Sequence, residues 1–316
     1  MKLAFVFPGQ GSQSVGMMAD YAAHPVVRAT FDEAGEVLGQ NLWALVEDGP
    51  AEALNQTVNT QPVMLAAGVA VWRAWLSADG MRPTVVAGHS LGEYTALVAA
   101  GALAFRDALP LVRFRAEAMQ QAVPTGVGAM AAILGLDDAG VAAACREAAQ
   151  GQVVEPVNFN APAQVVIAGN KEAVERAVAA AKEKGAKRAL MLPVSAPFHS
   201  SLLKSAAERL AARLVDVSFA TPTIPVLHNV DVDEKPGPDA IRAALAQQAA
   251  SPVRWVETIQ AFAFRGVTHV IECGPGKVLA GLNRRIVADL HSYALSDSDA
   301  IDSALSEIGA ASAGDN

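Results

Sequence analysis

The sequence predicts an α/β protein: a large domain with a parallel central sheet, interrupted by a smaller βαββαβ insert. Three observations carry this. Hydrophobic residues make up 52% of the 316 positions and charged ones only 18%, which suits packed layers of sheet and helix. Leu3–Phe7 and Thr84–Ala87 are unbroken runs of apolar or β-branched residues, as strands buried on both faces require, and each runs into a glycine-rich turn. Between residues 126 and 196 the pattern reads strand, helix, strand, strand, helix, strand, the order of a ferredoxin-like unit.

The same composition excludes several function classes. The longest apolar runs, such as Met64 to Trp72, fall short of the roughly 20 residues needed to cross a bilayer, so no membrane association is expected. The N-terminus has one lysine and a five-residue apolar strand ending at Pro8, too short for a signal-peptide core, which predicts a cytoplasmic protein. Cys145 and Cys273 stand far apart, with no second thiol or histidine at ligand spacing, so neither a disulfide framework nor a metal site is expected. A formal net charge of −8 argues against nucleic acid as a partner. Lys182, Lys184, Lys187 and Arg188 form one local basic cluster and Arg284-Arg285 another; both read as solvated helix ends, and an acidic partner would need such a patch.

Taken in order, the first strand Leu3–Phe7 stops at the loop Pro8-Gly9-Gln10-Gly11-Ser12-Gln13. This is no dinucleotide fingerprint, because Ser14 stands where G-x-G-x-x-G needs its third glycine. The loop can instead offer a backbone N–H, that of Gln10, to an oxyanion. Residues 26 to 72 read as helical, with a break at Asn59-Thr60-Gln61-Pro62 that places the proline in the first turn of a new helix. The second strand leads into Gly88-His89-Ser90-Leu91-Gly92, a G-x-S-x-G pentapeptide, and a helix follows to a stop at Gly101. Between a strand and a helix, this motif forms a nucleophile elbow: the glycines permit a tight turn with Ser90 at its apex, and the helix start leaves the Leu91 N–H free beside it. A helix from Phe105 to about Val123 carries Arg106, Arg113 and Arg115 among apolar residues, each either snorkelling or a buried anion clamp. After the insert, Ser195-Ala196-Pro197-Phe198-His199-Ser200-Ser201 is a strand-to-helix loop. A helix to Leu214, a strand near Pro225–Val230, a helix through Gln247-Gln248 and a strand Val267–Glu272 follow. Gly274-Pro275-Gly276-Lys277, which lacks Walker A spacing, opens the final helix, and residues 309–316 read as a disordered tail.

A serine hydroxyl needs a base before it attacks, and histidine is the usual choice. Of the six histidines, His199 alone follows a strand at a loop-to-helix junction; His89 adjoins the serine but diverges from it at a sharp turn, as a pocket wall. No acid stands where a triad would need one: Asp137, Asp138, Asp216, Asp231 and Asp233 all fall at helix ends or in turns. A dyad, its histidine held by an amide or carbonyl, is therefore expected.

The loop motifs around Gln10, Ser90, His199 and Gly274, in this order, resemble those of the malonyl-CoA:acyl carrier protein transacylases over about residues 2 to 290. The resemblance implies an α/β-hydrolase-like large domain (1–125 and 197–308) and a ferredoxin-like small one (126–196). It implies Ser90 as the acylated nucleophile, His199 as its base, Gln10 and Leu91 as oxyanion donors, and Arg115 as the cation for the malonyl carboxylate. Gln248 matches the residue whose main-chain carbonyl orients the histidine, with Gln247 one step away. The implied activity is ping-pong malonyl transfer from malonyl-CoA to an acyl carrier protein in fatty acid biosynthesis, by a monomer without cofactor. A trans-acting malonyltransferase of a polyketide pathway would carry the same residues, and a serine hydrolase or thioesterase would share the elbow.

Overall fold

The computed structural model describes residues 1–194 and 196–313; Ser195 and the last three residues lie outside it. Leu3–Phe7 (β1) is buried at every position, the mark of a strand covered on both faces. Helices Pro25–Leu38 (α1), Leu42–Glu47 (α2), Ala51–Leu54 (α3) and Thr57–Ser77 (α4) follow. Pro25 opens α1 and Gly39 closes it in the left-handed conformation. Pro62 does not open α4 as the sequence suggested; the helix starts at Thr57 and takes the proline into its interior. Every residue from Thr60 to Trp72 is buried, and that burial outweighs one lost backbone hydrogen bond. Val85–Gly88 (β2), Gly92–Ala99 (α5) and Phe105–Gln121 (α6) complete the first half.

The insert comprises Gly128–Leu134 (β3), Asp138–Ala149 (α7), Val154–Ala161 (β4), Gln164–Asn170 (β5), Lys171–Glu183 (α8) and Arg188–Met191 (β6). Its strands form an antiparallel sheet in the order β4-β5-β3-β6. Asp137 caps α7 by accepting from the Gly140 N–H.

The chain then adds Lys204–Leu214 (α9), Val226–Leu227 (β7), Pro238–Gln248 (α10), Trp255–Phe264 (α11), His269–Cys273 (β8) and Val278–Ile286 (α12). Two further elements, His291–Leu295 (β9) and Ser298–Ala313 (α13), were not anticipated. The expected tail is corrected accordingly: helix continues past Gly309 to Ala313, and 314–316 lie outside the described residues. Ile301, Ala304 and Ile308, spaced along one helix face, are buried in the main core and anchor α13, so the small residues beyond them extend a helix already formed.

The large sheet is parallel, in the order β7-β2-β1-β8-β9. Because Phe7 pairs with Gly88, the loops after β1 and β2 emerge side by side at the carboxyl edge, where open α/β sheets hold their ligands. The antiparallel sheet is hydrogen-bonded through β4 to loops of the larger part of the chain. The Phe159 N–H donates to the Val253 carbonyl at 3.0 Å, the Val253 N–H to Val157 at 2.8 Å, and Glu155 accepts from both the backbone and hydroxyl of Ser201. Among the described residues no helix is long and apolar enough to cross a membrane.

Candidate active site

The turn between β2 and α5 is as tight as its glycines allow. A Cβ on Gly88 would lie 1.8 Å from the Gly92 carbonyl carbon, and one on Gly92 would lie 2.0 Å from the Phe7 oxygen. Ser90 sits at the apex with φ +53°, a left-handed value costly for a non-glycine residue, so the surroundings must hold it there. Asn229, buried just beyond β7, accepts from the Ser90 N–H at 2.8 Å and donates to the Gly88 carbonyl at 2.7 Å, bridging the two sides of the turn. Glu93, fully buried, accepts in turn from the Asn229 N–H (2.9 Å), from Gln248 Nε2 (3.0 Å) and from His228 Nδ1 (2.7 Å).

Ser90 Oγ lies 2.7 Å from His199 Nε2, and His199 Nδ1 lies 2.9 Å from the Gln248 carbonyl. A carbonyl only accepts, so Nδ1 carries the proton and Nε2 is free to take the one on Ser90. His199 is 3% exposed. Burial first, then the positive charge of Arg115, pushes its pKa down to about 3, against a smaller upward pull from the Gln248 carbonyl. His199 is therefore a neutral base. It is Gln248 that is buried here, while Gln247 is exposed.

Arg115 reaches the same oxygen from α6. Its Nη2 donates to Ser90 Oγ (3.2 Å) and to Gln248 Oε1 (2.9 Å), and Nη1 donates to Gln61 Oε1 (2.8 Å). The guanidinium is 2% exposed and stands over the Tyr94 ring, 5.4 Å from its centroid. Arg113 and Arg106 point elsewhere, to Gln40 and Glu36. The N–H groups of Gln10 and Leu91, from the two adjacent loops, donate to no acceptor among the described residues, and both residues line the cavity above Ser90. The Gln10 side chain is tied to Arg115 through Thr57 and Gln61.

The cavity, about 300 Å³, opens between the two sheets. On the insert's side it is lined by Met130, Asn158, Asn160, Gln164, Leu192 and Val194. His89 forms part of the wall, 2.8 Å from Asn160 Oδ1 and tilted against Trp255, rather than touching Ser90. The Gly274–Lys277 turn lies beneath the first loop, Gly274 against Pro8 and Gly276 against Ser12, and its helix start is held by the buried Glu272 carboxylate. Among the described residues no cluster could hold a metal ion.

The six residues to which the resemblance points, Ser90, His199, Gln248, Arg115, Gln10 and Leu91, are brought together here, whereas Arg106 and Arg113 are not. Missed were Gln61, Glu93, Asn160, His228 and Asn229. Asn229 had a usable signal, since it follows a strand that ends at the same sheet edge as Ser90. Glu93 had a weaker one, a carboxylate within an apolar helix. Asn229→Ala is expected to lower the turnover number by about 10²-fold, because small misplacements of an attacking group cost about that much, with little change in substrate KM. Steady-state kinetics check this; an unchanged turnover number would show that the turn holds without Asn229.

A model of the acyl transferase domain matches residues 4–295. The chain is 57% identical over 305 residues to the malonyl CoA-acyl carrier protein transacylase of Escherichia coli (strain K12), covering 96% of this chain and 99% of that protein. The crystal structure of acyl-carrier-protein S-malonyltransferase from Burkholderia pseudomallei 1710b superposes with a TM-score of 0.96 at 64% identity, over 97% of this chain and 100% of that one. A malonyl-transacylase solved in complex with its type II polyketide synthase acyl-carrier protein gives a TM-score of 0.96 at 54% identity, over 97% and 100%.

Proposed function

We propose, for a chain that belongs to the malonyl-CoA:acyl carrier protein transacylase family, that it moves malonyl from malonyl-CoA to the phosphopantetheine thiol of an acyl carrier protein through a malonyl-Ser90 ester. His199 Nε2 takes the Ser90 proton as Oγ attacks the thioester carbon. The oxyanion that forms rests on the Gln10 and Leu91 N–H groups. The C–S bond then breaks, and the proton passes from His199 to the coenzyme A sulfur. In the second half the carrier thiol gives its proton to His199 and attacks the ester carbon, and as the C–O bond breaks His199 passes that proton to Ser90 Oγ. Thioester is exchanged for thioester, so the transfer is close to isoenergetic, and every step uses groups the chain itself carries, with no call for a cofactor. One chain supplies all of these groups, and a monomer suffices. The cytoplasm is the compartment this reading implies, where both substrates meet.

The strand order β4-β5-β3-β6, with α7 and α8, supports reading residues 126–196 as a ferredoxin-like unit on an α/β-hydrolase-like domain of 1–125 and 197–308.

The observation that carries the proposal is Arg115, a buried guanidinium within hydrogen-bonding distance of an activated serine. A free carboxylate enters a cavity of low dielectric only if a cation meets it, and guanidinium meets both of its oxygens. Truncating one member of such a pair costs about 2–5 kcal/mol, hence about 30- to several-thousand-fold. Arg115→Ala should lose that much malonyl transfer while acetyl transfer holds or rises, with Arg113→Ala as the unaffected control. The measurement is kcat/KM for malonyl-CoA and acetyl-CoA in each protein; equal losses for both substrates would make Arg115 a support of the fold. A polyketide carrier is the second reading of the acceptor, favoured by the 54% identical relative solved with one. Transfer rates to fatty acid and polyketide carrier proteins, compared side by side, decide between them.

A further inference from the structure

We propose that Arg115 restrains the dyad of the free enzyme, and that a carboxylate on the incoming acyl group lifts the restraint, so the substrate activates the serine it acylates. This deepens the transfer reading above and rests on it: it concerns how the same site turns recognition of a carboxylate into rate.

Ser90 Oγ is shared. It gives its proton to His199 Nε2 at 2.7 Å and accepts an N–H from Arg115 Nη2 at 3.2 Å, so a lone pair on the attacking atom is already engaged by a cation. Proton transfer to His199 would then place an imidazolium and a guanidinium on either side of one oxygen, both buried. Like charges that close in a low dielectric oppose each other strongly.

Among the described residues no carboxylate pairs directly with the guanidinium, and Glu93 acts on its charge only at longer range. Its hydrogen-bonded partners are the neutral Gln61, Gln248 and Ser90, and its buried Nε has no partner among the described residues. The nearest carboxylate in the network, Glu93, is reached only through the Gln248 amide, and is already shared with His228 and the Asn229 N–H. The depressed basicity of His199 fits: burial contributes most, then Arg115, with His89 adding a smaller part.

A carboxylate bound to Arg115 draws its N–H groups away from Oγ and cancels the charge that faces His199. The serine oxygen is freed and the base strengthened in one event. An acetyl group has nothing to offer Arg115 and meets the restrained dyad. Selection of malonyl over acetyl then lies in the rate constant at saturation as well as in affinity.

The test is single-turnover acylation of Ser90 by saturating acetyl-CoA, followed by intact-protein mass, in the wild type and Arg115→Met. Each is run with sodium formate and with sodium chloride at equal ionic strength. Formate can fill the carboxylate position beside an acetyl group, and this arm needs no substitution. The expected result is a saturable rise of about tenfold with formate in the wild type, the size that relief of a partly screened like-charge contact allows. Arg115→Met should acetylate at the raised rate without formate and be indifferent to it. Equal saturating rates in the two proteins without formate would overturn the proposal, as would formate that stimulates both equally or only inhibits the wild type. Failure of malonyl-CoA to label Ser90 in the wild type would instead bring down the transfer reading itself.

Discussion

Ser90→Ala is expected to remain folded and to take up no malonyl group. The backbone of Ser90 holds the elbow through its N–H to Asn229 and its carbonyl to Gln248 Nε2 and the Glu93 N–H, and none of these uses the hydroxyl. The substitution removes one oxygen, whose partners are His199 and Arg115, and leaves the left-handed backbone much as strained as before. Thermal unfolding should therefore shift little. Intact-protein mass after mixing with malonyl-CoA should show an adduct on the wild type, mapping to Ser90, and none on the variant. An adduct that persisted would assign the nucleophile elsewhere.

His199→Ala carries the next largest effect, a loss of about 10²–10⁴-fold in acylation, the span typical of a general base. A greater loss in His89→Ala or His228→Ala would assign the base to one of those residues. The depressed pKa adds a second readout. With its value pushed down to about 3, His199 is already unprotonated at pH 5, so kcat/KM of the wild type should stay nearly flat from pH 8 down to pH 5. An acid limb centred near the ordinary histidine value of 6.5 would contradict the buried, neutral imidazole. Stability follows by linkage. Below about 6.5 the unfolded chain takes up a proton that folded His199 refuses, so this residue costs stability as pH falls from about 6.5 towards about 3. Buried Glu272 works in the opposite direction: its pKa raised to about 7 favours the folded state at low pH, a benefit lost as pH rises from about 4.5 to about 7. Urea unfolding of the wild type and His199→Gln at several pH values isolates the histidine, and the variant should lose less stability on acidification.

The sequence by itself determined the local chemistry. A G-x-S-x-G between an all-apolar strand and a helix forces a strained turn with the serine at its tip, because neither Gly88 nor Gly92 has room for a Cβ. The alternation of strands and helices from 128 to 191 was legible because its helices bury one face on a helical period while its strands are short, largely apolar runs set off by turns. What it left open was which distant groups converge on that tip. His199, Arg115 and Gln248 stand on a loop and two helices, and they meet only because a parallel sheet brings its carboxyl-edge loops together. Motif likeness named them; spacing alone could not rank Arg115 above Arg113 or Gln248 above Gln247, since burial belongs to the folded chain. Asn229 and Glu93 escaped for the same reason: a buried amide and carboxylate owe their place to partners more than a hundred residues away. The strand β9, edge of the sheet, and the helix α13 beyond it were invisible for a complementary reason. A partly buried edge strand and a helix of small residues carry weak periodic signals, and contact with the finished core decides their structure.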